Sequence, residues 1–159
     1  MILPRKHELM SIEDAREMDP AEISEFLAQN GTGVLSLAAE NIPFSIPVSY
    51  GFDLEEGIFY FRLGFLEGSE KRRFVDASEL ARLVVYDRTD DGWKSVIALG
   101  ELERIDDDEL TVDVAKNLRE TELPLVGLWE EPMDDIEFQI YRFEVERLTG
   151  RKEASETSP

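Results

Sequence analysis

The chain has 159 residues, 42% of them hydrophobic, which is enough for one compact domain with a proper core. It carries 36 Asp and Glu against 17 Lys and Arg, a formal net charge of -19, so nucleic acids and anionic membranes are poor partners. There is no cysteine, which excludes disulfides and thiolate metal sites, and no metal is expected. The apolar runs are too short for a membrane span or a signal peptide, so a cytoplasmic protein is expected.

The excess of carboxylates predicts a halophilic protein, because dissolved salt screens the self-repulsion of such a surface. A surface that recruits a basic partner is the alternative explanation. The two explanations differ in what neutralises the charge: solvent ions in one case and a second protein in the other.

An N-terminal helix is the first element that the sequence predicts. Asp19 is a good N-cap, Pro20 suits the first helical position, and Gly31 can end the helix. A shorter turn or helix is expected before it, over residues 10–18. Two further helices are expected, one beginning near Ser69 and one over residues 106–122, where three aspartates favour a helix N-terminus.

Six strands in short runs are expected, as in an antiparallel barrel with peripheral helices rather than a parallel sheet. Two prolines, Pro43 and Pro47, predict that the second strand is irregular or partly at a sheet edge. The last strand changes the parity of its apolar residues, which predicts a bulge near Ile140. The predicted strands are residues 33–38, 44–52, 58–63, 80–87, 93–105 and 136–149.

Several classes of catalytic site are excluded by residue types. The chain has a single histidine, His7, and neither a zinc-protease motif nor a glycine-rich phosphate loop. A serine nucleophile would lack its histidine partner. Carboxylate spacing carries no information in a chain this acidic.

A dense cationic run, Lys71-Arg72-Arg73, follows Ser69 at the start of the predicted second helix. Helix amides, a hydroxyl and cations together can hold a phosphate. The alternative is a solvated helix face whose cations pair locally with Glu67, Glu70 and Asp76.

The second strand has one large face and one small face. Its small face consists of Ser45, Pro47, Ser49 and Gly51, and it is flat enough to receive a planar ring. The alternative is that Gly and Pro only mark an irregular edge strand.

The order of these segments resembles the flavin-binding split-barrel proteins related to pyridoxamine 5′-phosphate oxidases, including the nitroimidazole-resistance branch. The resemblance covers residues 19–151, which leaves an N-terminal extension (1–18) and a flexible tail (152–159). It rests on segments 22–27, 33–37, 46–50, 58–62, 71–72, 93–100 and 145–151.

This resemblance implies a mainly β, six-stranded antiparallel split barrel that forms a homodimer, with FMN in two clefts between the subunits. It places Pro47, Val48, Ser49 and Tyr50 along the isoalloxazine, largely through backbone groups, and Arg62 and Leu63 near the ring or ribityl chain. It assigns the phosphate to Ser69, Lys71 and Arg72, and it brings Trp93, Ser95 and Val96 from the partner subunit. Ordinary strand packing is the alternative for these positions, and Trp93 could instead plug one end of the barrel.

Two departures from the family pattern bear on function. The short Gly-x-Lys step is lengthened here to Gly68-Ser69-Glu70-Lys71, so the phosphate register is open by a residue or two. The region 139–151 lacks the histidine of the substrate-gripping Arg-x-His pair, which argues against oxidation of vitamin B6 compounds.

The leading function is therefore an FMN-dependent oxidoreductase acting on an unassigned small-molecule substrate, with Arg62 as the candidate that stabilises the reduced ring. The alternatives are a non-catalytic flavin-binding or storage protein, a deazaflavin-dependent reductase on the same fold, and a barrel without a cofactor that acts only as an interaction dimer.

Overall fold

The computed structural model describes residues 15–119 and 135–154. The strands are β1 (Ala15–Glu17), β2 (Thr32–Ala39), β3 (Ile42–Asp53), β4 (Ile58–Phe65), β5 (Leu80–Thr89), β6 (Gly92–Ile105) and β7 (Glu137–Glu153). The helices are α1 (Pro20–Gln29), α2 (Glu70–Ala77) and α3 (Val112–Arg119), with a 3₁₀ turn at Asp107–Glu109. None of the helices in these ranges is long and apolar enough to cross a membrane.

All strand pairs are antiparallel, and the order is β1-β7-β4-β3-β2-β5-β6 with a further pairing of β6 to β7. That last pairing closes six strands into a ring, and the short β1 is added to the free edge of β7. The predicted antiparallel barrel with peripheral helices is confirmed, and each of the six predicted strands is present. The seventh strand, β1, was not predicted because three residues carry no periodic signal.

The ring is split between β3 and β4. Residues 50–53 of β3 pair with β4, whereas residues 42–49 pair with β2 alone. On the other side of the split, residues 62–65 of β4 pair only with β7. The predicted partial edge in the second strand is therefore confirmed, since its proline-containing half has a neighbour on one side only.

Helix α1 begins as predicted, with the Asp19 carboxylate accepting a hydrogen bond from the Glu22 amide at 2.8 Å. Its buried face, Ile23, Phe26 and Leu27, packs into the aromatic core of the barrel. The largest fully buried side chains of that core are Phe59, Phe61, Phe65, Phe74 and Phe143.

The predicted bulge near Ile140 is wrong. The pairing of β7 with β4 is continuous from Glu137 to Glu144, and the irregularity lies further along, where Gly100 of β6 faces Val145 and Leu99 faces Arg147. A Cβ on Gly100 would collide with the backbone carbonyl of Glu144, which explains a glycine there. The parity of β7 changes for a different reason. Ile140 faces outward into a second apolar cluster, with Ile58, Tyr60, Ile105 and Val114, which includes α3.

Three further expectations need correction. Residues 15–17 form β1 rather than a turn or helix, because they pair with residues 151–153 of β7, and residues 10–14 lie outside the described ranges. The helix expected over 106–122 is interrupted between the 3₁₀ turn and α3, and positions 120–122 again lie outside these ranges. The strand expected over 58–63 continues through Gly64 and Phe65 because β7 pairs with them, and the strand expected to end at 149 continues to Glu153.

The hydroxyl of Tyr50 ties β3 to α1 by donating a hydrogen bond to the Leu27 carbonyl at 2.8 Å. Burial raises the pKa of Tyr50 well above 10. In the unfolded chain this phenol ionises above about pH 10, whereas in the folded protein it stays protonated, so its contribution to stability is lost as the pH rises above that value. We expect Tyr50→Phe to lower the free energy of unfolding at pH 7 by about 1 kcal/mol. The variant should also lose less stability than the parent between about pH 9 and 11, as urea melts would show, and parallel curves would contradict this.

Candidate cofactor-binding site

The point where β3 and β4 separate gathers most of the predicted site residues. Val48 and Tyr50 point into the core, so the strand alternation places Ser49 on the opposite face of β3. Arg62, flanked by the core residues Phe61 and Leu63, occupies the same outer face on β4, at the first position where β4 has lost β3 as a partner.

Ser49 is the unusual group at this fork. It is only 2% exposed, and its hydroxyl has no hydrogen-bond partner among the described residues. A buried hydroxyl without a partner costs about 1–3 kcal/mol, so such groups mark places where something else binds. Gly51, also buried, lies on the same face, and so does Gly64 across the split, where a Cβ would come within 3.0 Å of Ile136. The fork therefore offers a small-residue surface with one unsatisfied hydroxyl.

Helix α2 lies across the split and contacts both strands. The Phe74 ring stacks on Phe44 of β3 with 4.8 Å between ring centroids. At its N-terminal end, the Lys71 amine donates to the Gly64 carbonyl of β4 at 2.8 Å, and the Arg72 guanidinium lies 4.5 Å from the centre of the Phe65 ring. The predicted cationic run is thus held beside the fork by aromatic and backbone contacts.

The cations of α2 already have protein partners. Arg72 forms a 3.0 Å ion pair with Glu137 at the start of β7, and Arg73 pairs with Glu70 at 3.7 Å. Burial lowers the pKa of the Lys71 amine. The Ser69 hydroxyl accepts from the Arg72 amide at 3.3 Å and so acts as the helix N-cap. Local pairing with Glu70 was among the alternatives read from the sequence. The ion pair between Arg72 and Glu137 was not predicted. Strands β5 and β6 lie between α2 and Glu137 in the sequence, so no local pattern connects the two residues.

Several predicted site residues have buried side chains. Val48, Tyr50 and Leu63 are each 3% exposed and Val96 is 1% exposed, all of them in the main core. Their side chains serve packing, so they could meet a ligand only through backbone groups, as expected for positions 47–50. Pro47 is exposed on the outer face.

Trp93 and Ser95 lie on β6, away from the fork within one chain, since β2 and β5 stand between β6 and β3. Trp93 is 43% exposed, so it does not plug an end of the barrel. Both residues belong to the outer face. This face carries a row of directly paired positions across five strands: Pro47, Val34, Val84, Ile97 and Thr149. Tyr86 and Ile97 on this face are 60% and 38% exposed. The chain itself thus joins positions 47–50, 62–63 and 69–72, but not 93–96.

A group that could hold a metal ion occurs once in the described ranges. The carboxylates of Asp106, Asp108 and Glu109 lie within 4.8 Å of one another, all exposed, at the turn that follows β6. Exposed acidic groups of this kind are common in a chain with 36 Asp and Glu, so this cluster alone does not define a metal site.

The closed ring with its split between β3 and β4, bridged by a helix that carries cations, defines an antiparallel split-barrel protein. The sequence profile of the pyridoxamine 5′-phosphate oxidase family matches residues 19–152. The chain therefore belongs to this family.

Several solved structures share this fold. A FAD-binding protein from Mesorhizobium loti superimposes with a TM-score of 0.66 at 20% identity, covering 89% of this chain and 98% of that one. The FAD-binding protein from Mycobacterium smegmatis gives 0.62 at 19% identity, with 87% and 98% covered. A candidate 5-nitroimidazole antibiotic resistance protein from Bacteroides thetaiotaomicron gives 0.58 at 13% identity, with 86% of each chain covered. Comparison with curated protein sequences finds no significant match.

Proposed function

We propose that this protein binds FMN at the fork between β3 and β4 and acts as a homodimeric oxidoreductase on a small-molecule substrate. The observation that carries the proposal is the buried Ser49 hydroxyl, which has no hydrogen-bond partner within residues 15–119 and 135–154 and lies on a small-residue face. Membership of the pyridoxamine 5′-phosphate oxidase family and similarity to two FAD-binding proteins support a flavin as the missing partner.

The residues at the fork fit the parts of a flavin. The Ser49 hydroxyl and the backbone of residues 47–50 would bind the polar edge of the ring, and Arg62 would stabilise negative charge on it. Lys71 and Arg72 would hold the phosphate, because cations and oxyanions form strong charge-assisted hydrogen bonds. A bound flavin supplies the redox chemistry, while the protein positions it and sets its electrostatics.

A second copy of the chain would complete this site. The outer-face row that runs from Pro47 to Thr149 includes Val34, Val84 and Ile97, an apolar strip suited to burial against an identical strip. Trp93 and Ser95 lie on the same face, so a partner would bring them towards the fork that they do not reach within one chain. We further propose that the protein works in the cytoplasm at high salt, where its net charge of -19 is screened.

The first test is an absorption spectrum of the full chain purified in molar salt, followed by denaturation and mass spectrometry of any released chromophore. Flavin bands with FMN released support the proposal. Release of FAD would support the same binding site with a larger ligand. Release of a deazaflavin would support the site but indicate a deazaflavin-dependent reductase. Reduction of the bound flavin by a nicotinamide and reoxidation by an acceptor separate an enzyme from a storage protein. A colourless protein that fails to bind added FMN would overturn the proposal.

Ser49→Ala tests the observation on which the proposal rests. Removing a buried hydroxyl that lacks a partner should raise the free energy of unfolding of the flavin-free protein by about 1 kcal/mol. The same change should weaken FMN binding several-fold, because a hydrogen bond to the ring is lost. Ser45→Ala on the same strand is the control, since its hydroxyl is already bonded to that of Ser36 at 2.9 Å. Titration of tryptophan and flavin fluorescence measures the affinity, and unchanged binding by Ser49→Ala would remove this residue from the site.

A further inference from the structure

A cavity of about 590 Å³ opens beside the turn between β5 and β6. Four basic side chains line it: Arg16, Arg88, Lys94 and Lys152. Lys94 lies on the opposite face of β6 from Trp93 and Ser95, because alternate residues of a strand face opposite sides. The part of the cavity that Lys94 lines therefore lies on the opposite face from the proposed flavin site, although Arg88, the strand partner of Trp93, brings the cavity to the edge of the outer face.

Three of these cations form a row across neighbouring strands. Arg16 of β1 pairs directly with Lys152 of β7, and Lys152 pairs directly with Lys94 of β6. Directly opposite residues in antiparallel strands have their Cβ atoms roughly 4.5–5.5 Å apart, and like charges in such positions destabilise the sheet. A row of three cations is unexpected in a chain where carboxylates outnumber Lys and Arg by 36 to 17.

The carboxylates around the cavity leave most of this charge unpaired. Lys152 forms an ion pair with Glu22 of α1 at 2.5 Å. Among residues 15–119 and 135–154, no carboxylate lies within 4.0 Å of the charged nitrogens of Arg16, Arg88 or Lys94. Asp87, the strand partner of Lys94, instead accepts a 2.8 Å hydrogen bond from the Arg88 backbone amide.

We propose that this cavity binds a compact polyanion, with phosphate or carboxylate groups, that bridges the row from Arg16 through Lys152 to Lys94. A multivalent oxyanion can accept charge-assisted hydrogen bonds from several cations at once, because it offers a separate oxygen to each of them. Four carboxylates also line the cavity: those of Glu22, Asp90, Asp91 and Glu153. Their charge disfavours long polyanions such as nucleic acids and selects a ligand that fits between the cations.

The test compares thermal unfolding of the full chain in pyrophosphate, inorganic phosphate and citrate with unfolding in potassium chloride at equal ionic strength. At saturating concentration, the preferred anion should raise Tm by about 3–8 °C, and the order of the three separates phosphate from carboxylate ligands. Lys94→Gln should raise the apparent Kd of that anion at least about 10-fold. Lys94→Arg should keep most of the binding.

Stability without the anion distinguishes a binding site from a structural ion network. In chloride, Lys94→Gln should raise Tm by about 1–4 °C, because it removes the charge opposite Lys152. Lys116→Gln, an exposed lysine on α3, is the matched control and should change neither quantity. A fall in Tm for Lys94→Gln in chloride would show a structural role and overturn the proposal. Equal responses of the parent and Lys94→Gln to all three anions would also overturn it.

Discussion

Replacing Arg72 by Gln is expected to weaken FMN binding roughly 10- to 100-fold and to leave riboflavin binding unchanged. A charge-assisted hydrogen bond to a phosphate contributes about 1.5–3 kcal/mol to binding. Riboflavin has no phosphate, so its binding does not depend on this bond. The guanidinium is already held in place over the Phe65 ring, so little ordering is needed when the ligand arrives. Flavin fluorescence titrations in molar salt measure both affinities.

Glu137→Gln should have the opposite effect. In the flavin-free protein the Glu137 carboxylate lies 3.0 Å from the Arg72 guanidinium, so a phosphate must compete with it. The carboxylate is 66% exposed, and ion pairs of this kind contribute about 0–1 kcal/mol. Removing it should therefore tighten FMN binding by up to about fivefold, with almost no change in the free energy of unfolding.

Arg73→Gln is the matched control, since Arg73 lies on the same helix and pairs with Glu70 at 3.7 Å, but its side chain is 57% exposed. It should change FMN affinity less than threefold. If Arg72→Gln and Glu137→Gln both lower stability and neither alters FMN affinity, the ion pair only holds α2 against β7. If riboflavin binding falls together with FMN binding, Arg72 supports the ring or the helix rather than the phosphate.

The sequence predicted most of the barrel because its signals are local. The alternation in β3, the N-cap Asp19 and the start of a helix near Ser69 are each encoded within a few neighbouring residues. The change in parity of the apolar residues along β7 was also visible in the sequence, but its structural cause was not. It arises because Ile140 packs against a second apolar cluster that includes Val114 of α3, and such packing depends on the closed ring rather than on the strand itself.

The candidate site was predictable only in part, for the same reason. The small face of β3 and the cations of α2 are local patterns, and α2 contacts β3 and β4 in the parts of these strands that no longer pair with each other. The partners that tune those cations, Glu137 and the Gly64 carbonyl, come from distant strands, so no spacing rule could connect them. The unpaired Ser49 hydroxyl was equally hidden, because its burial follows from packing and not from its neighbours in the sequence.

The two proposed sites have one property in common, which is the placement of their positive charge. Arg16, Arg88 and Lys94, which have no carboxylate within 4.0 Å among the described residues, are grouped around one cavity. The α2 cations Lys71 and Arg72 lie instead over the Phe65 ring beside the split. Both groups of cations could therefore bind oxyanions. At high salt, the repulsion between such a ligand and the distant carboxylates of the surface would be screened.

Ile97→Glu is expected to convert the protein to a monomer and to abolish FMN binding in the same step. Ile97 lies in the outer-face row with Val34 and Val84 and is 38% exposed in a single chain, so the substitution should leave the fold intact. In the proposed symmetric dimer, however, each copy would bury a new carboxylate in an apolar interface. Burying unpaired charges there should raise the dimer dissociation constant at least about 100-fold.

Val112→Glu is the control for this prediction, because Val112 is 86% exposed on α3, and a charge added there should change neither assembly nor binding. Sedimentation and flavin fluorescence, measured on the same samples in molar salt, report the two properties separately. A monomer that still binds FMN normally would show that the fork is complete within one chain, without Trp93 and Ser95 from a partner. A dimer that persists would place the subunit contact on another face. Joint loss of both properties, with circular dichroism unchanged, is the outcome that only a site shared between two subunits explains.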